Sequence, residues 1–451
     1  MSHPAGLPGA EPEIDARYRA DWSGLARGIP DTLCRPRSVE EVSAVLRHCH
    51  EHGRPVTIQG GLTGLAGGAV PADGDVVLNL ERMAAIEQID ELEGIMTVQA
   101  GTTLLAVQEA AAAAGWYFPV DLGARGSCQV GGNAATNAGG ERVIRYGTMR
   151  DSVLGIEAVL ADGTVLSTLT RLVKNSAGLD LRFLFIGSEG TLGVITRLRL
   201  KLQPAPAPAV TAFAAAADIH ALARLLRRLK RSPGVNLTAF EFMSGQFVDA
   251  ASRLAGRPCP VAAGQPWYVL MESAEHAGEG DSALQQALEQ ALEQGLVLDG
   301  ALACSLADAQ DFWRLRHSIP ELLGELKPTV NFDCGLPWAE MEGFVDRVNA
   351  AMHQRYPDAR HLFFGHMGDN NIHLMTGPHR PQDMHAVEAL VYAELRGRDG
   401  TISAEHGIGF IKKPFLGYTR SAEELDTLRK LKAALDPKNI LNPGRVLDQI
   451  G

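Results

Sequence analysis

"PVDLGARGSCQVGGNAATNAGGERVIRYG", residues 119–147, is rich in Gly, Ala, Ser, Thr and Asn and contains few large apolar side chains. Such a stretch builds little core, but it lets the backbone lie flat against a large planar ligand. A disordered linker is the alternative interpretation. The central part, "GGNAATNAGG", is too poor in charge and proline to be typical of one. The stretch therefore predicts an ordered binding surface.

Two further glycine clusters flank this stretch in the sequence. "QGGLTGLAGGAVP", residues 59–71, follows a short strand pattern, and "FIGSEGTLGVIT", residues 185–196, lies between a helix and a strand. The first matches neither G-x-G-x-x-G nor a Walker A loop. Its backbone N–H groups can still form an anion nest for a diphosphate, although a flexible loop is the alternative. Three clusters in one region indicate a single binding domain.

The composition describes a globular protein with more than one domain. A chain of 451 residues is too long for one ordinary core, so about two or three domains are expected. Hydrophobic residues make up 45% and charged residues 21%, and 42 basic against 53 acidic residues give a net charge of −11. No run supplies the basic face that a duplex-binding surface needs, which excludes nucleic acid as a partner.

The cysteines indicate a reducing compartment. The six cysteines lie far apart and form no C-x-x-C pair, which argues against both a disulfide framework and a cysteine zinc site. The N-terminus lacks a basic start followed by an apolar stretch, and no apolar run reaches about 18 residues. We therefore expect a cytoplasmic protein without a transmembrane segment, with peripheral membrane association left open.

Local patterns predict the order of the elements in the N-terminal region. Ser38 and Gly53 bound a helix whose first turn carries a capping box with Glu41, and strands are predicted at 54–59, 75–80 and 95–101. A second predicted helix, at 102–115, stops at its terminal glycine, and a hairpin is predicted around Asp162-Gly163. The Pro-Ala run "QPAPAPAV", residues 203–210, predicts a domain boundary.

Beyond residue 210, strands and amphipathic helices alternate. Strands are predicted at "TAFEFM", "PWYVLMES" and "VNFDCGLP", and helices at "SALQQALEQALEQG", "DFWRLRHSIPELLGEL" and "MEGFVDRVNAAMHQRY". This pattern predicts helices packed on one face of a sheet, and the chain ends with another helix before "NPG". The predicted fold class is α+β.

"HMGDNNIH", residues 366–373, predicts a hairpin that brings two histidines together. If Asp369-Asn370 form a two-residue turn, His366 faces His373 across the strands, with Cβ atoms about 5 Å apart. Two imidazoles at that distance can share a metal ion. A surface turn with incidental histidines is the alternative. A second histidine pair, in "HCHEH" at 48–52, lies on the last turn of a helix, where histidine is common.

Six motifs in chain order resemble one family. They are "GGLTGLAGGAVP", "DLGARGSCQVGGNAATNAGG", "GSEGTLGVIT", "GHMGDNNIHL", "AEHGIG" and "LDPKNILNPGRV". The sequence resembles the FAD-linked oxidoreductases of the vanillyl-alcohol oxidase fold from about Arg35 to Val446. The closest branch is that of the D-lactate and D-2-hydroxyglutarate dehydrogenases, with a glycolate oxidase subunit as a sister. The resemblance implies an FAD domain at 1–205 (core about 31–205), a cap domain at 206–400, and a segment at 401–451 that returns to the FAD domain.

The resemblance also implies which residues bind FAD. The family's pyrophosphate contacts fall on Gly60, Gly61, Thr63, Gly64 and Leu65, and its isoalloxazine and ribityl contacts on Asp121, Leu122, Gly123, Ser127, Gly131, Gly132, Asn133, Thr136, Asn137 and Gly139. The adenine side falls on Gly190, Gly193 and Ile195, while Asn442 approaches the ring. Because no histidine lies in 59–71 or 119–147, non-covalent FAD is expected.

In this branch His366, His373 and Glu405 correspond to ligands of a divalent metal, Zn²⁺ or Mn²⁺. His406 corresponds to the base that takes the hydroxyl proton of a D-2-hydroxy acid while hydride leaves C2 for flavin N5. Arg316 corresponds to a clamp on the substrate carboxylate. Asn331 is the third substrate-binding position. Several relatives carry lysine there, so the substrate is left open between a D-lactate and a D-2-hydroxyglutarate type.

Two rival functions remain open beside this one. One is a flavin-binding subunit of a glycolate oxidase-like complex. The other is a zinc-dependent hydrolase that uses the same histidines and glutamate to activate water. A dehydrogenase would also need an electron acceptor such as electron-transfer flavoprotein, a quinone or a cytochrome, and a homodimer is compatible with the sequence.

Overall fold

Residues 7–275 and 282–448 are described by the structure, which is a computed structural model. Contacts divide the chain into two compact units. The first takes Met1–Gly140, Tyr146–Ala205 and Glu405–Gly451, and the second takes Glu141–Arg145 and Pro206–Ala404. The described residues contain no helix that is both long and apolar enough to cross a membrane.

The strands are β1 (Thr32–Cys34), β2 (Val56–Gln59), β3 (Val76–Asn79), β4 (Ile86–Asp90), β5 (Ile95–Gln99), β6 (Trp116–Tyr117), β7 (Val153–Val159), β8 (Val165–Ser167), β9 (Val194–Lys201), β10 (Gln203–Pro204), β11 (Ala209–Ala216), β12 (Leu237–Ser244), β13 (Trp267–Ala274), β14 (Asp299–Leu302), β15 (Val330–Gly335), β16 (Arg360–His366) and β17 (Asn371–Gly377). The helices are α1 (Val39–His52), α2 (Leu104–Ala113), α3 (Val130–Ala135), α4 (Val143–Tyr146), α5 (Met149–Ser152), α6 (Arg182–Phe185), α7 (Ile219–Leu229), α8 (Gly245–Ala255), α9 (Ala283–Glu293), α10 (Leu306–Arg316), α11 (Ile319–Glu325), α12 (Trp338–Arg355), α13 (Met384–Ala393) and α14 (Ala422–Leu435).

The first unit is built on two main sheets. One is parallel, with strand order β1-β3-β2, and the other is antiparallel, with order β4-β5-β9-β7-β8. Apolar side chains from α1 and α2 join those of both sheets in one buried cluster. The C-terminal segment pairs with β2, because the Val56 N–H donates to the Ile440 carbonyl and the Asn442 N–H donates to the Val56 carbonyl.

Local signals set the first two helices as predicted. The Ser38 side chain accepts the Glu41 N–H, and Gly53 closes α1 in the left-handed conformation at φ +62°. The predicted capping box is wrong in one detail, because the Glu41 carboxylate accepts the N–H of Arg37 instead of that of Ser38. Thr103 caps α2. The three predicted strands and the hairpin at 162–163 are confirmed.

The second unit is built on one antiparallel sheet with order β14-β11-β13-β12-β16-β17-β15. Helices α8, α10 and α11 pack on the face that carries Met243 and Phe364. Helix α13 packs on the other face, where the Tyr392 ring meets that of Phe332. The prediction of helices on one face is therefore wrong. Inner strands such as β12 are buried at every position, which is typical of a sheet covered on both sides.

Two short segments belong to a different unit from the one that the sequence suggested. Residues 141–145 lie with the second unit, where Arg142 donates to Thr238 and pairs with Glu272. Residues 401–404 also lie there, because Thr401 bridges to Gly335 in the sheet. The cut between Ala205 and Pro206 falls inside the Pro-Ala run, although the last residues of that run already belong to β11.

The stretch 311–326, predicted as a single helix, forms parts of two. Helix α10 ends at Arg316, and α11 begins at Ile319 with Pro320 in its first turn. Proline restricts the residue before it and has no N–H for the helix ladder, so a break at this point is expected. The break leaves Arg316 on the last turn of α10.

Candidate active site

In the first unit, the three glycine clusters meet around α3. A side chain at Gly61 would collide with the Ser127 carbonyl, its Cβ lying 2.0 Å from that oxygen, so clusters 59–71 and 119–147 touch backbone to backbone. The third cluster joins them, because the Glu189 N–H donates to the Ala135 carbonyl at 2.8 Å. The predicted cofactor-binding segments are thus brought together.

Asn442 completes this arrangement from the C-terminal segment. Its side chain accepts the Ile58 N–H at 2.8 Å and donates to the Glu189 carbonyl at 2.7 Å. Asn442 is buried and has a φ of +43°, a left-handed conformation that asparagine tolerates. Asn442 therefore links β2 to the third glycine cluster. The family resemblance implied that Asn442 approaches the flavin ring, whereas its side-chain amide is bonded here to two backbone groups of the protein.

The geometry around α3 fits a bound flavin nucleotide. A Cβ built on Gly132 or Gly123 would meet no atom within 4 Å, so both glycines border open space. Among the described residues, the buried side-chain oxygens of Gln129 and Asn133 have no hydrogen-bond partner. Acceptors of this kind suit a ligand with hydroxyl and N–H donors, such as a ribityl chain and a flavin ring.

Several predicted contacts have side chains that the protein itself already uses. Asp121 pairs with Arg125, and the Asn137 oxygen accepts from the Thr148 hydroxyl and the Arg150 N–H. The Thr136 hydroxyl donates to the Gly132 carbonyl. These residues could meet a cofactor mainly through backbone atoms or remaining polar edges.

The other predicted cofactor residues differ in exposure. Leu65 is exposed, whereas Gly139, Gly190, Gly193 and Ile195 are buried. Ile195 lies in the apolar core, and a side chain at Gly193 would collide with the Phe185 ring. Of the other predicted cofactor residues, Gly60, Thr63 and Leu122 are partly buried, and Gly64 and Ser127 are exposed.

In the second unit, the two predicted histidines lie on the β16–β17 hairpin with a different register. His373 pairs with Phe364, not with His366, and residues 367–369 form a 3-10 turn that ends at Asn370 with φ +71°. The two-residue turn predicted at Asp369-Asn370 is therefore wrong. Because the register differs by two residues, an even number, both histidines still point to the same face of the sheet. Their ring centroids are 5.3 Å apart.

Glu405 joins the two histidines. Nitrogens of His366 and His373 and a carboxylate oxygen of Glu405 lie within 4.8 Å of one another. The cut between the units falls just before Glu405, whose chain neighbour Ala404 donates its N–H to the Asp333 carbonyl on β15. Two imidazoles and one carboxylate are the donor set of many catalytic zinc sites, and manganese accepts the same donors.

Two buried carboxylates that sequence reasoning missed stand behind the histidines. Glu241 on β12 lies opposite His366 in the sheet and accepts from its Nδ1 at 2.7 Å. Asp333 lies opposite His373, with 3.9 Å between its oxygen and the ring Nδ1, and it also accepts from Asn371 and Ser403. A glutamate inside the apolar strand "TAFEFM" was the one signal in the sequence that could have revealed Glu241.

Arg316 is 2% exposed, and its Nε and Nη2 both approach the same oxygen of Glu241, at 2.9 Å. The bidentate edge that the sequence assigned to a substrate carboxylate is therefore turned to Glu241. This ion pair explains how α10 can end on a fully buried guanidinium, because an unpaired charge at this depth would be costly. The contacts of Arg316 in the described part of the chain leave Nη1 for another acceptor.

The remaining predicted residues lie near these groups in the chain or sheet. Asn331 is exposed on β15 and points to the same side as Asp333, two residues further on. His406 is partly buried and follows Glu405 directly. The loop after it is held by Glu189, whose carboxylate accepts the N–H groups of Ile408 at 2.7 Å and Gly409 at 2.8 Å.

Electrostatics differ among the acidic groups of the second unit. Burial raises the pKa of Asp369, in the hairpin turn, to about 6. Burial also acts to raise the pKa of Glu141, but the hydrogen bond from His317 and the charge on Arg316 outweigh it and lower that pKa to about 2. His317, beside Arg316 in the sequence, is thus bonded to Glu141.

Comparison with known proteins defines the class to which the chain belongs. A family model for the FAD binding domain matches residues 30–169, and one for the C-terminal domain of FAD linked oxidases matches residues 205–446. The chain belongs to the FAD-linked oxidases and is an FAD-dependent oxidoreductase.

Two individual relatives are similar to this chain over nearly its whole length. The chain is 41% identical over 442 residues to the mitochondrial D-2-hydroxyglutarate dehydrogenase of Bos taurus, with 97% of this chain and 80% of that protein covered. It is 40% identical over 446 residues to the D-2-hydroxyglutarate dehydrogenase of Xanthomonas citri pv. viticola, with 97% and 93% covered.

Solved structures show the same fold at low identity. A p-cresol methylhydroxylase matches with a TM-score of 0.75 at 16% identity, covering 96% of this chain and 92% of that one. An alkyldihydroxyacetonephosphate synthase matches with a TM-score of 0.71 at 16% identity, covering 93% and 77%. The predicted α+β fold of the vanillyl-alcohol oxidase type is confirmed.

Proposed function

We propose that this FAD-dependent oxidoreductase is a divalent-metal-dependent dehydrogenase that converts a D-2-hydroxy acid to the 2-oxo acid. The observation that carries the proposal is the group formed by His366, His373 and Glu405, whose donor atoms lie within 4.8 Å. The family supports it as well, since FAD-linked oxidases supply the flavin chemistry and relatives at about 40% identity are dehydrogenases of a D-2-hydroxy acid.

In this proposal the protein binds two groups. Bound FAD accepts a hydride, and a bound divalent metal such as Zn²⁺ or Mn²⁺ lowers the pKa of a coordinated hydroxyl group. His366, His373 and Glu405 would hold the metal. The glycine clusters around α3 would hold FAD without a covalent bond. Cofactor residues that line open space, such as Gly132, would face the cofactor directly.

His406 is the proposed general base. It would take the proton from the substrate hydroxyl while the hydrogen on C2 would leave as hydride to bound FAD, so the step would give a 2-oxo acid, a protonated imidazole and reduced FAD. Histidine suits this role because its ordinary pKa lies close to neutrality. Glu189 supports the role by holding the backbone of the loop that carries His406.

The substrate carboxylate is proposed to meet Arg316 through Nη1, because Nε and Nη2 already bind Glu241. This changes the clamp expected from the sequence from two hydrogen bonds to one. His406 and Asn331 are the other proposed substrate contacts. Asn331 is exposed on β15 and could donate to a polar group of the substrate, although it carries no charge.

We infer a D-2-hydroxyglutarate type of substrate, because both relatives named above are D-2-hydroxyglutarate dehydrogenases. One residue favours a second candidate, a short acid of the D-lactate type. A distal carboxylate would gain an ion pair from lysine at position 331, and this chain has asparagine there. The two candidate substrates therefore differ in chain length and in whether they carry a distal carboxylate.

A dehydrogenase that uses FAD in this way would need a second acceptor for the electrons. We propose electron-transfer flavoprotein, a quinone or a cytochrome for this step. The six free cysteines, four of them buried, support a compartment that keeps thiols reduced, and the cytoplasm is our proposed location, with or without peripheral membrane contact. A homodimer remains part of the proposal as a solution state to be measured.

The proposed function is tested by a screen of 2-hydroxy acids of both configurations with an artificial electron acceptor. D-2-hydroxyglutarate and D-lactate are the central pair, and their L-enantiomers are the controls. We expect turnover of the D-acids alone, with the ratio of the two kcat/KM values choosing between long and short substrates. A flavoprotein that oxidises none of the D-acids would exclude a dehydrogenase of this class and support the non-catalytic flavin-binding subunit. A colourless protein that hydrolyses esters would support the hydrolase.

A further inference from the structure

We propose that Glu241 is a positioning residue that keeps the proton of His366 on Nδ1, so that Nε2 keeps its lone pair for a metal, and that Arg316 fixes Glu241 in this role. The inference rests on the proposed function, because it assigns to two buried residues a task in the proposed metal site. It concerns the tautomer of a ligand and adds no new ligand.

The sheet itself fixes the pairing of these side chains. Glu241 on β12 and His366 on β16 are directly opposite each other in antiparallel strands. Opposed side chains point to the same face with Cβ atoms about 5 Å apart, so the contact depends on strand register and needs no ordered loop. The observed separation between Glu241 Oε1 and His366 Nδ1 is 2.7 Å.

The two carboxylate oxygens of Glu241 have different partners. Nε and Nη2 of Arg316 both bind Oε2, which leaves Oε1 for His366. The guanidinium lies over the Phe364 ring at 4.9 Å and is almost entirely buried, so its orientation is restricted. Arginine has only hydrogen-bond donors, so the Glu241 carboxylate is the acceptor in its contact with Arg316.

An ionised carboxylate can only accept hydrogen bonds, so the His366 Nδ1 must be the donor. A neutral imidazole with its proton on Nδ1 has a lone pair on Nε2, which is the form that binds a metal. Carboxylates that hold metal-binding histidines in this way orient the ring and raise its basicity, and their loss typically weakens metal binding by about 10- to 100-fold.

The arrangement makes Glu241→Gln an unusually informative change. Glutamine has one accepting oxygen and one donating NH₂ group, and Arg316 has only donors. The glutamine oxygen must therefore face Arg316, and its NH₂ group must face His366. That NH₂ group would donate to Nδ1 and move the imidazole proton to Nε2, where it blocks metal binding.

The chain offers a matched control in Glu272. This carboxylate is also buried, lies on the neighbouring strand β13, pairs with Arg142 and accepts from the Trp313 ring N–H at 2.8 Å, and none of these recorded partners is a histidine. Glu272→Gln thus removes a buried charge from an arginine pair in the same sheet. It reports the general effect of such a change on folding and on zinc binding.

The first measurement is the tautomer of His366 in metal-free protein, read from ¹⁵N shifts of labelled histidine and assigned with His366→Gln. The second is zinc affinity, measured by competition with a chelator, and flavin content and the melting temperature are recorded for each variant. We expect Glu241→Gln to move the proton to Nε2 and to weaken zinc binding at least tenfold. Glu272→Gln should leave the tautomer unchanged and zinc affinity within about twofold.

A double variant tests the role of Arg316. In Glu241→Gln with Arg316→Met, the glutamine is free to turn its oxygen to His366, so the proton should return to Nδ1 and zinc binding should recover in part. Loss of stability alone would not produce this recovery. An unchanged tautomer in folded Glu241→Gln, or unchanged zinc affinity, would overturn the proposal, as would equal effects of Glu241→Gln and Glu272→Gln.

A failure of the proposed function can be distinguished from a failure of the positioning role. The former would appear in the wild-type protein as absence of zinc binding or absence of D-2-hydroxy acid oxidation. Failure of the positioning role appears only in the comparison between wild type and the Glu241 variants, because the tautomer is measured without metal, substrate or turnover.

Discussion

Glu241 and Asp333 show how single residues prepare a site inside a sheet. Both are buried and lie opposite a histidine, Glu241 on the inner strand β12 and Asp333 on the edge strand β15. Each has further polar partners, Arg316 for Glu241 and Asn371 with Ser403 for Asp333. A carboxylate at this depth is tolerated only when its oxygens are bonded. Such residues are poor choices for stability alone, so their position behind two histidines points to the chemistry of the site.

At the same scale, two histidine variants separate the proposed roles. His373→Ala should remove the metal while FAD stays bound, because the predicted FAD residues all lie in the other unit. His406→Ala should keep both metal and FAD but lose about 10²- to 10⁴-fold in kcat, as expected for removal of a general base. Metal analysis beside the flavin spectrum and the rate distinguishes the two.

His52→Ala is the control for these variants. His52 is exposed on the last turn of α1, where its ring stacks on that of His48, and it represents the competing histidine pair. It should change neither metal content nor rate. Chelator treatment of the wild type should reproduce His373→Ala, with activity restored by zinc or manganese. Full activity in verified metal-free enzyme would end the metal-assisted mechanism.

At the scale of elements, helix α3 contains two adjacent glycines, one closely packed and the other beside open space. A Cβ on Gly131 would lie 2.5 Å from the Ala100 Cβ, so that glycine allows the helix to approach the neighbouring chain. A Cβ on Gly132 would meet nothing within 4 Å. One glycine therefore serves packing, and the next leaves room beside the helix for a ligand.

The two glycines are therefore expected to respond differently to substitution by valine, one by losing flavin binding and the other by losing stability. Gly132→Val should fold normally, since valine forms helix at least as well as glycine, but it should fill the space proposed for FAD and reduce bound flavin at least tenfold. Gly131→Val should instead destabilise the fold by about 1–3 kcal/mol through overpacking. The ratio of flavin to protein absorbance and the melting temperature of the flavin-free proteins measure the two effects.

Normal flavin content in Gly132→Val would show that FAD does not use this side of α3. A melting temperature lowered equally by both substitutions would contradict the division of roles between the two glycines.

At the scale of the whole molecule, segments distant in sequence combine to make each unit. The first unit takes its C-terminal segment from beyond residue 404, and Arg445 in that segment donates to the Thr57 hydroxyl and to the Val70 carbonyl. The second unit takes in residues 141–145. Removal of the C-terminal segment should therefore damage the first unit, although most of that unit is encoded by residues 1–205.

The mode of FAD attachment is a property of the whole chain. Acid precipitation of purified yellow protein should release FAD into the supernatant, because the glycine clusters 59–71 and 119–147 contain no histidine to form a covalent tether. Absorbance spectra of supernatant and pellet check this expectation. Flavin that stays with the denatured pellet would mean that another residue bonds to it covalently.

Much of the fold was predictable because its signals are local. The cap at Ser38, the glycine that ends α1 and the turn at 162–163 act over a few residues, so they could be read directly. Helix coverage on both faces of the large sheet could not, because the apolar strands β11–β13 fit several packing arrangements. The break between α10 and α11 was missed although Pro320 marks it.

The sequence by itself determined the glycine clusters, the pair of histidines His366 and His373, and the family. The family resemblance then added Glu405 as a candidate ligand, because motifs depend on residue type and order along the chain. Only the tertiary structure decided the register of the β16–β17 hairpin and the partners of its histidines. Strand register depends on contacts along the whole hairpin, and Glu241 is 125 residues from His366 in the sequence. The same long-range pairing turned Arg316 toward Glu241, which no local pattern could indicate.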